Sequence, residues 1–266
     1  QMQEASRLYG SGVPEFLRTH PVTKSRIADA ENRSRQLGES GASDTLDFQL
    51  MKARTYVLSQ TDTSAAIKHY EKLFNQLTAV EKADSPGAAV IRYGLTLAYN
   101  KAGKWKKARK TLDPLLVNMQ GKIPYLLLDI EIDIEAGNLE FASRRLRDLY
   151  ALTPANYPIG MLLAKTAVKQ ENYATAEKVL QQLTEKRPKQ TDIWFLLAEV
   201  HGLAGNIAQL HLARAEFFIL RGNFRQARHH LSYALKVTGN NFNNAAKIKQ
   251  RLRDVVALEK QRKALG

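Results

Sequence analysis

Four stretches of the chain carry apolar residues at one repeated spacing. Ala108, Leu112 and Leu115 form the first set, Ala142, Leu146 and Leu149 the second. Ala176, Leu180 and Leu183 form the third, and Ala227, Leu231 and Ala234 the fourth. Each set occupies positions i, i+4 and i+7, a single stripe along a helix. A short element of constant form lies just upstream of each: Gly103-Lys104-Trp105, Gly137-Asn138-Leu139, Glu171-Asn172-Tyr173 and Gly222-Asn223-Phe224. Only the third lacks glycine. The stripe alanine is small, as close crossing of two paired helices requires. Pro154 and Pro188 stand just past the second and third stripes, where proline ends a helix.

The turns at 103, 137 and 171 are 34 residues apart, and the turn at 222 lies 51 further on, one and a half periods. A 34-residue helix–turn–helix period is the tetratricopeptide signature. The pattern therefore predicts an all-α solenoid of helix-turn-helix pairs with an extra half-repeat. Two helices are expected between Gln190 and Gly222, the second of them serving two neighbours. Upstream, Asp47–Gln60 and Thr63–Gln76 read as a degenerate pair with Ala66, Tyr70 and Leu73 on its stripe. Its turn, Thr61-Asp62-Thr63, has no glycine. Pro114 falls inside a second helix and is expected to bend or shorten it. The run Asp129-Ile130-Glu131-Ile132-Asp133-Ile134-Glu135 alternates like a strand, but the repeat frame makes it a first helix. A final helix past Gly239, with Ile248, Leu252, Val255 or Val256 and Leu258 on a narrow stripe, suits the cap that solenoids need. The domain division expected is a lead-in over residues 1–42 and a repeat domain over 43–266, roughly five helix pairs.

Composition narrows the chemistry. The chain of 266 residues has no cysteine, which excludes disulfides, thiolate metal sites and a cysteine nucleophile. No apolar run approaches the roughly 18 residues of a membrane span. The first residues lack the layout of a signal peptide. The chain does not open on methionine and is expected to be part of a longer protein. The formal net charge is +14, unevenly spread. Residues 101–110 carry six bases and no acid, and residues 241–266 carry seven bases against Asp254 and Glu259. Residues 121–190, with ten bases and nine acids, are nearly balanced. Clustered bases raise nucleic acid as a partner, but no stacking platform or known binding module accompanies them in the sequence. A solvated helix face, or contact with an acidic protein or anionic surface, is favoured over nucleic acid.

The lead-in holds the most specific string, from Pro14 to Ala30, and within it Thr19-His20-Pro21-Val22-Thr23-Lys24-Ser25-Arg26-Ile27-Ala28-Asp29-Ala30. It resembles the end of the catalytic domain of HtpX/BepA-like zinc metallopeptidases. In the BepA-like branch a tetratricopeptide domain follows directly. The stretches KARTYVLS, YGLTLAYNKAGKWKKARKTLDPLL and DIWFLLAEVHGLAGN are similar to that branch as well. The resemblance implies a periplasmic protein with a zinc peptidase domain and a repeat domain. Such proteins help outer-membrane proteins mature and degrade those that stall. The repeats would dock on the outer-membrane assembly machinery and on client outer-membrane proteins. It further implies that His20, Pro21 and Arg26 form a regulatory His-Pro motif, with His20 on a loop near the parent's zinc.

The peptidase chemistry itself is not expected here. It needs His-Glu-x-x-His on a helix, two imidazoles one turn apart with a glutamate between them. The histidines are His20, His69, His201, His211, His229 and His230, and no pair has that spacing. Catalytic residues, a metal site and a cofactor are therefore expected to be absent from this chain, with zinc belonging to the full-length parent. The leading expectation is an interaction module that holds partners in the solenoid groove. Tyr93, Asp129, Asp133, Phe217 and Phe218 are the groove candidates. Tyr93 and Leu97 occupy positions where some repeat domains place Lys and Asn to grip a C-terminal carboxylate, which argues against that clamp. The alternative is a basic scaffold for an acidic protein or RNA, unrelated to proteolysis.

Overall fold

A computed structural model describes residues 44–265 apart from 79–84, 119–120, 155 and 240. The described helices belong to one compact unit, Leu46–Gly266. The lead-in, with its His-Pro motif, lies outside the described residues. Twelve helices follow one another, with no strand among the described residues: α1 (Leu46–Ser59), α2 (Thr63–Gln76), α3 (Pro86–Lys101), α4 (Trp105–Asn118), α5 (Ile123–Glu135), α6 (Leu139–Leu152), α7 (Tyr157–Lys169), α8 (Tyr173–Lys186), α9 (Thr191–Leu203), α10 (Ile207–Leu220), α11 (Phe224–Val237) and α12 (Phe242–Leu265).

The turns between paired helices share one geometry, set by hydrogen bonding. Gly103, Gly137, Glu171, Gly205 and Gly222 all have positive φ. In each turn the following residue's N–H reaches back five positions: Lys104 to the Tyr99 carbonyl, Asn138 to Asp133, Asn172 to Ala167, Asn206 to His201 and Asn223 to Phe218. This closes the helix end and satisfies its last carbonyls. Starts are fixed by side chains that accept from the first turn. Asp62 caps α2 through Ser64 N–H, Ser85 caps α3 through Ala88 N–H, and Asn172 caps α8 through Thr175 N–H.

The alternating-looking run is helical, as the repeat frame requires. Pro114 lies within α4, which still runs 14 residues, as long as α6, so it is not shortened. The stripe alanines Ala108, Ala142, Ala176 and Ala227 are all fully buried, with Leu112, Leu146, Leu180 and Leu231 beside them.

The core falls into three clusters. Helix α5 feeds two of them from opposite sides. Tyr125, Leu128 and Ile132 face the cluster shared with α1–α4. Leu127, Ile130 and Ile134 face the next one along the chain. Helix α10 plays the same double part, with Ala213 in the second cluster and Ala215 in the third.

Gly205-Asn206-Ile207 is a turn of the repeating kind that stands 34 residues after Glu171. Helices α9 and α10 therefore form a hairpin in register, and α10 forms another with α11. In sequence α10 follows the first-helix pattern. Ala164, Ala198 and Ala215 each precede their turn by seven residues, and each is buried. Two first-type helices in succession make the half-repeat and place α9, α10 and α11 side by side. Helix α12 closes this end, burying Ile248 and Val255 and half-burying Leu252. Val256 and Leu258 stay exposed, so the stripe is the narrower of the versions expected.

Candidate functional site

Two of the expected groove residues are structural. Asp129 and Asp133, one turn apart on α5, are buried between arginines of the two flanking second helices. Arg109 on α4 donates Nη1–H to Asp129 Oδ1 at 3.1 Å and Nη2–H to Asp133 Oδ1 at 2.6 Å. Arg145 on α6 donates Nη2–H to Asp129 Oδ2 at 2.6 Å and Nη1–H to Asp133 Oδ2 at 2.8 Å. All four carboxylate oxygens are occupied, which offsets the cost of burying the charges. The expectation that this pair faces a partner is corrected. The carboxylates on the other side of α5 are Glu131, which pairs with Arg54 of α1, and Glu135, which meets Lys169 of α7 at 3.0 Å.

Tyr93 is corrected too. Its ring is only 1% exposed, lies 5.9 Å from the Tyr125 ring, and its hydroxyl accepts from Arg54 Nη1 at 3.3 Å. A buried tyrosine with a satisfied hydroxyl is core, not an anchor. Burial raises its pKa.

Phe217 and Phe218, both half-buried on α10, belong to a larger arrangement. Phe217 lies 5.5 Å from Phe195 of α9, Phe218 stacks at 5.3 Å on His230 of α11, and His211 stacks at 5.3 Å on Tyr233 of α11. His211 and His230 face each other with Nδ1 atoms 2.9 Å apart, one donating and the other accepting. His229 stands edge-on to Tyr233 at 4.8 Å. The result is an unbroken strip of rings across three helices.

Cations lie on the rings. The Arg214 guanidinium is 4.3 Å from the Phe195 centroid, Arg221 is 5.3 Å from Phe217, and the Lys236 ammonium is 5.5 Å from Tyr233. Such contacts are weakly attractive when exposed. Phe195 is 41% exposed and Tyr233 43%. Burial, helped by His211, His229 and Arg214, pushes His230 down to about 4. Burial also lowers His211. His211 and His230 are thus held toward the neutral form near neutral pH.

The other side of α10 lines a cavity of about 460 Å³ closed by α12. Trp194, Leu197, Leu212 and Ile248 give it apolar walls, and Gln209, Asn244 and Lys247 stand on its polar side. Arg251 of α12 holds Glu216 of α10 through Nε and Nη2, both at 2.6 Å, which fastens the cap and raises the arginine's pKa. His201, almost fully buried on the same cavity, has no hydrogen-bond partner at Nδ1, and Glu177 Oε2 is 3.9 Å away. Burial lowers its pKa against the pull of Glu177.

The sequence pointed to Phe217 and Phe218 but missed Phe195, His211, Arg214, His230 and Tyr233 as one group. A signal was present: residues 207–237 hold five Lys/Arg against the single acid Glu216. Nothing in the repeat pattern marked Arg109 and Arg145 as partners of the α5 aspartates. Among the described residues no group of three or more His, Cys, Asp or Glu could hold a metal ion, and no helix is long and apolar enough to cross a membrane.

Comparison with known proteins fits this architecture. The tetratricopeptide repeat family profile matches residues 133–200. The chain is 32% identical over 231 residues to the beta-barrel assembly-enhancing protease of Escherichia coli (strain K12), covering 85% of this chain and 45% of that protein. The protein of the same name from Yersinia pestis is 29% identical over 219 residues, covering 82% and 44%. The chain thus spans less than half the length of the curated relatives it matches. A tetratricopeptide repeat protein from Parabacteroides merdae is 15% identical, with a TM-score of 0.45, covering 88% of this chain and 93% of that one. The chain is therefore a tetratricopeptide repeat solenoid with beta-barrel assembly-enhancing proteases among its homologues.

Proposed function

We propose that this chain is the protein-docking part of a periplasmic zinc metallopeptidase that acts in the assembly and quality control of outer-membrane proteins. The observation that carries the docking role is the layer of α9, α10 and α11. One side is capped by α12, while the other leaves Phe195 and Tyr233 partly exposed. Partly exposed aromatic anchors on a rigid scaffold are typical of interface centres. The match to the relatives extends over 85% of the chain and supports the same role in a larger protein. Zinc and the peptide-cleaving groups would come from sequence outside this chain. His20, Pro21 and Arg26 would then stand at the border with the peptidase part.

The test is made in the full-length protein. Removing Leu46–Leu265 should abolish processing of outer-membrane clients while leaving cleavage of an unstructured model peptide. Photo-crosslinkers placed at Phe195 and Tyr233 should capture proteins of the envelope. Client processing unchanged by the deletion would overturn the reading.

A further inference from the structure

We propose that the strip across α9, α10 and α11 binds an acidic protein segment, its carboxylates held by Arg214, Arg221 and Lys236 and an apolar side chain seated beside Phe195 and Tyr233. This rests on the docking role above and names the chemistry of what is docked. Three observations carry it. First, Arg214, Arg221 and Lys236 lie over aromatic faces, and no ion pair engages any of the three among the described residues. Elsewhere on the solenoid Arg54, Arg109, Arg145, Arg147, Arg228 and Arg251 each pair with at least one carboxylate.

Second, helices α10 and α11 together hold one acid, Glu216, and it is drawn to the opposite side by Arg251. Glu199, one turn beyond Phe195 on α9, is the acid at the strip's edge. Third, a guanidinium resting on a ring keeps its N–H edges free, so it can donate two parallel bonds to a carboxylate without leaving the ring. The aromatic surface beneath supplies apolar area, and the strip's histidines carry no negative charge that would repel a carboxylate. A segment combining Asp or Glu with a large apolar residue satisfies both halves of the surface. Nucleic acid shares the negative charge, but the rings pack on one another across the helices, and stacking of bases needs open ring faces.

The experiment uses the chain as it stands and a fluorescein-labelled peptide of alternating Glu and Phe, with its Gln-for-Glu counterpart and a single-stranded oligonucleotide as comparators. Anisotropy should show binding of the acidic peptide that weakens with salt, with the neutral peptide much weaker. Arg214→Gln and Arg221→Gln should each weaken it about tenfold, with helical circular dichroism unchanged. Phe195→Ala serves as a second variant that keeps the charge of all three cations while removing apolar area, and should also weaken binding. Equal binding of both peptides, no loss in the arginine variants, or preference for the oligonucleotide would overturn the proposal. Capture of envelope proteins by the crosslinkers alongside any of those results would overturn the acidic specificity alone and leave the docking role standing.

Discussion

Glu171 holds, in the third turn of the series, the left-handed backbone that glycine holds at Gly103, Gly137, Gly205 and Gly222. A side chain there crowds its own backbone, at a cost of about 1–2 kcal/mol. Glycine also gives the unfolded chain more freedom, which returns part of the gain. Glu171→Gly should therefore stabilise the chain by about 0.5–1 kcal/mol, seen as a melting point about 2 °C higher. The reverse change, Gly137→Ala, should lower it by a similar amount. His230 carries a pH prediction. Its folded pKa, about 4, lies below the ordinary histidine value. The unfolded state then takes up the proton first, so stability is full near neutral pH and falls as pH drops from the ordinary value toward about 4. His201 and His211 are lowered as well and act in the same direction. Melting should drop between pH 7 and pH 5, and His230→Gln should flatten that drop. The turn residue was legible in sequence because the 34-residue frame put Glu171 where glycine belonged. The histidine contact was not, because His211 and His230 are brought together by the packing of α10 on α11.

At the level of single helices, α5 is a helix with three jobs. Its isoleucines and leucines feed two core clusters, its aspartates lock α4 and α6, and its glutamates pair with α1 and α7. The four-membered arrangement of Arg109, Asp129, Asp133 and Arg145 joins second helices of successive repeats. Replacing Arg145 by Leu leaves two buried carboxylates with one arginine, and should cost about 3 kcal/mol. Arg145→Leu combined with Asp129→Asn and Asp133→Asn should recover most of that loss, measured by urea unfolding. If the single variant unfolds at the wild-type midpoint, the arrangement contributes nothing. Sequence periodicity revealed that α5 is helical and that its two aspartates share a face. It did not reveal which neighbour that face meets, because the frame sets rotation about the helix axis and not the identity of long side chains arriving from other repeats.

Over the whole solenoid, the three clusters imply that stability is local. Each helix pair touches mainly its neighbours, so contributions combine nearly one-dimensionally. The last cluster is the smallest, built on Ala215, Ala227, Leu231, Ala234, Ile248 and Val255. Leu231→Ala should open α11 and α12 to amide hydrogen exchange while α3 and α5 keep their protection. Uniform loss of protection along the chain would contradict this. The repeat pattern by itself determined the succession of helix pairs, the buried stripe and the presence of a half-repeat. Those are local properties, written in spacing, turn chemistry and capping. The lead-in motif and the similarity to the proteases were likewise readable from residues in order. What only the tertiary structure decided is which side chains face outward. Tyr93 and Asp133 went into the interior because their hydroxyl and carboxylate find arginine partners there. Phe195, Phe217 and Tyr233 came together on an open face because two first-type helices in succession set three helices side by side. Apolar residues of core and interface are alike in sequence, and only the neighbours that cover them tell the two apart.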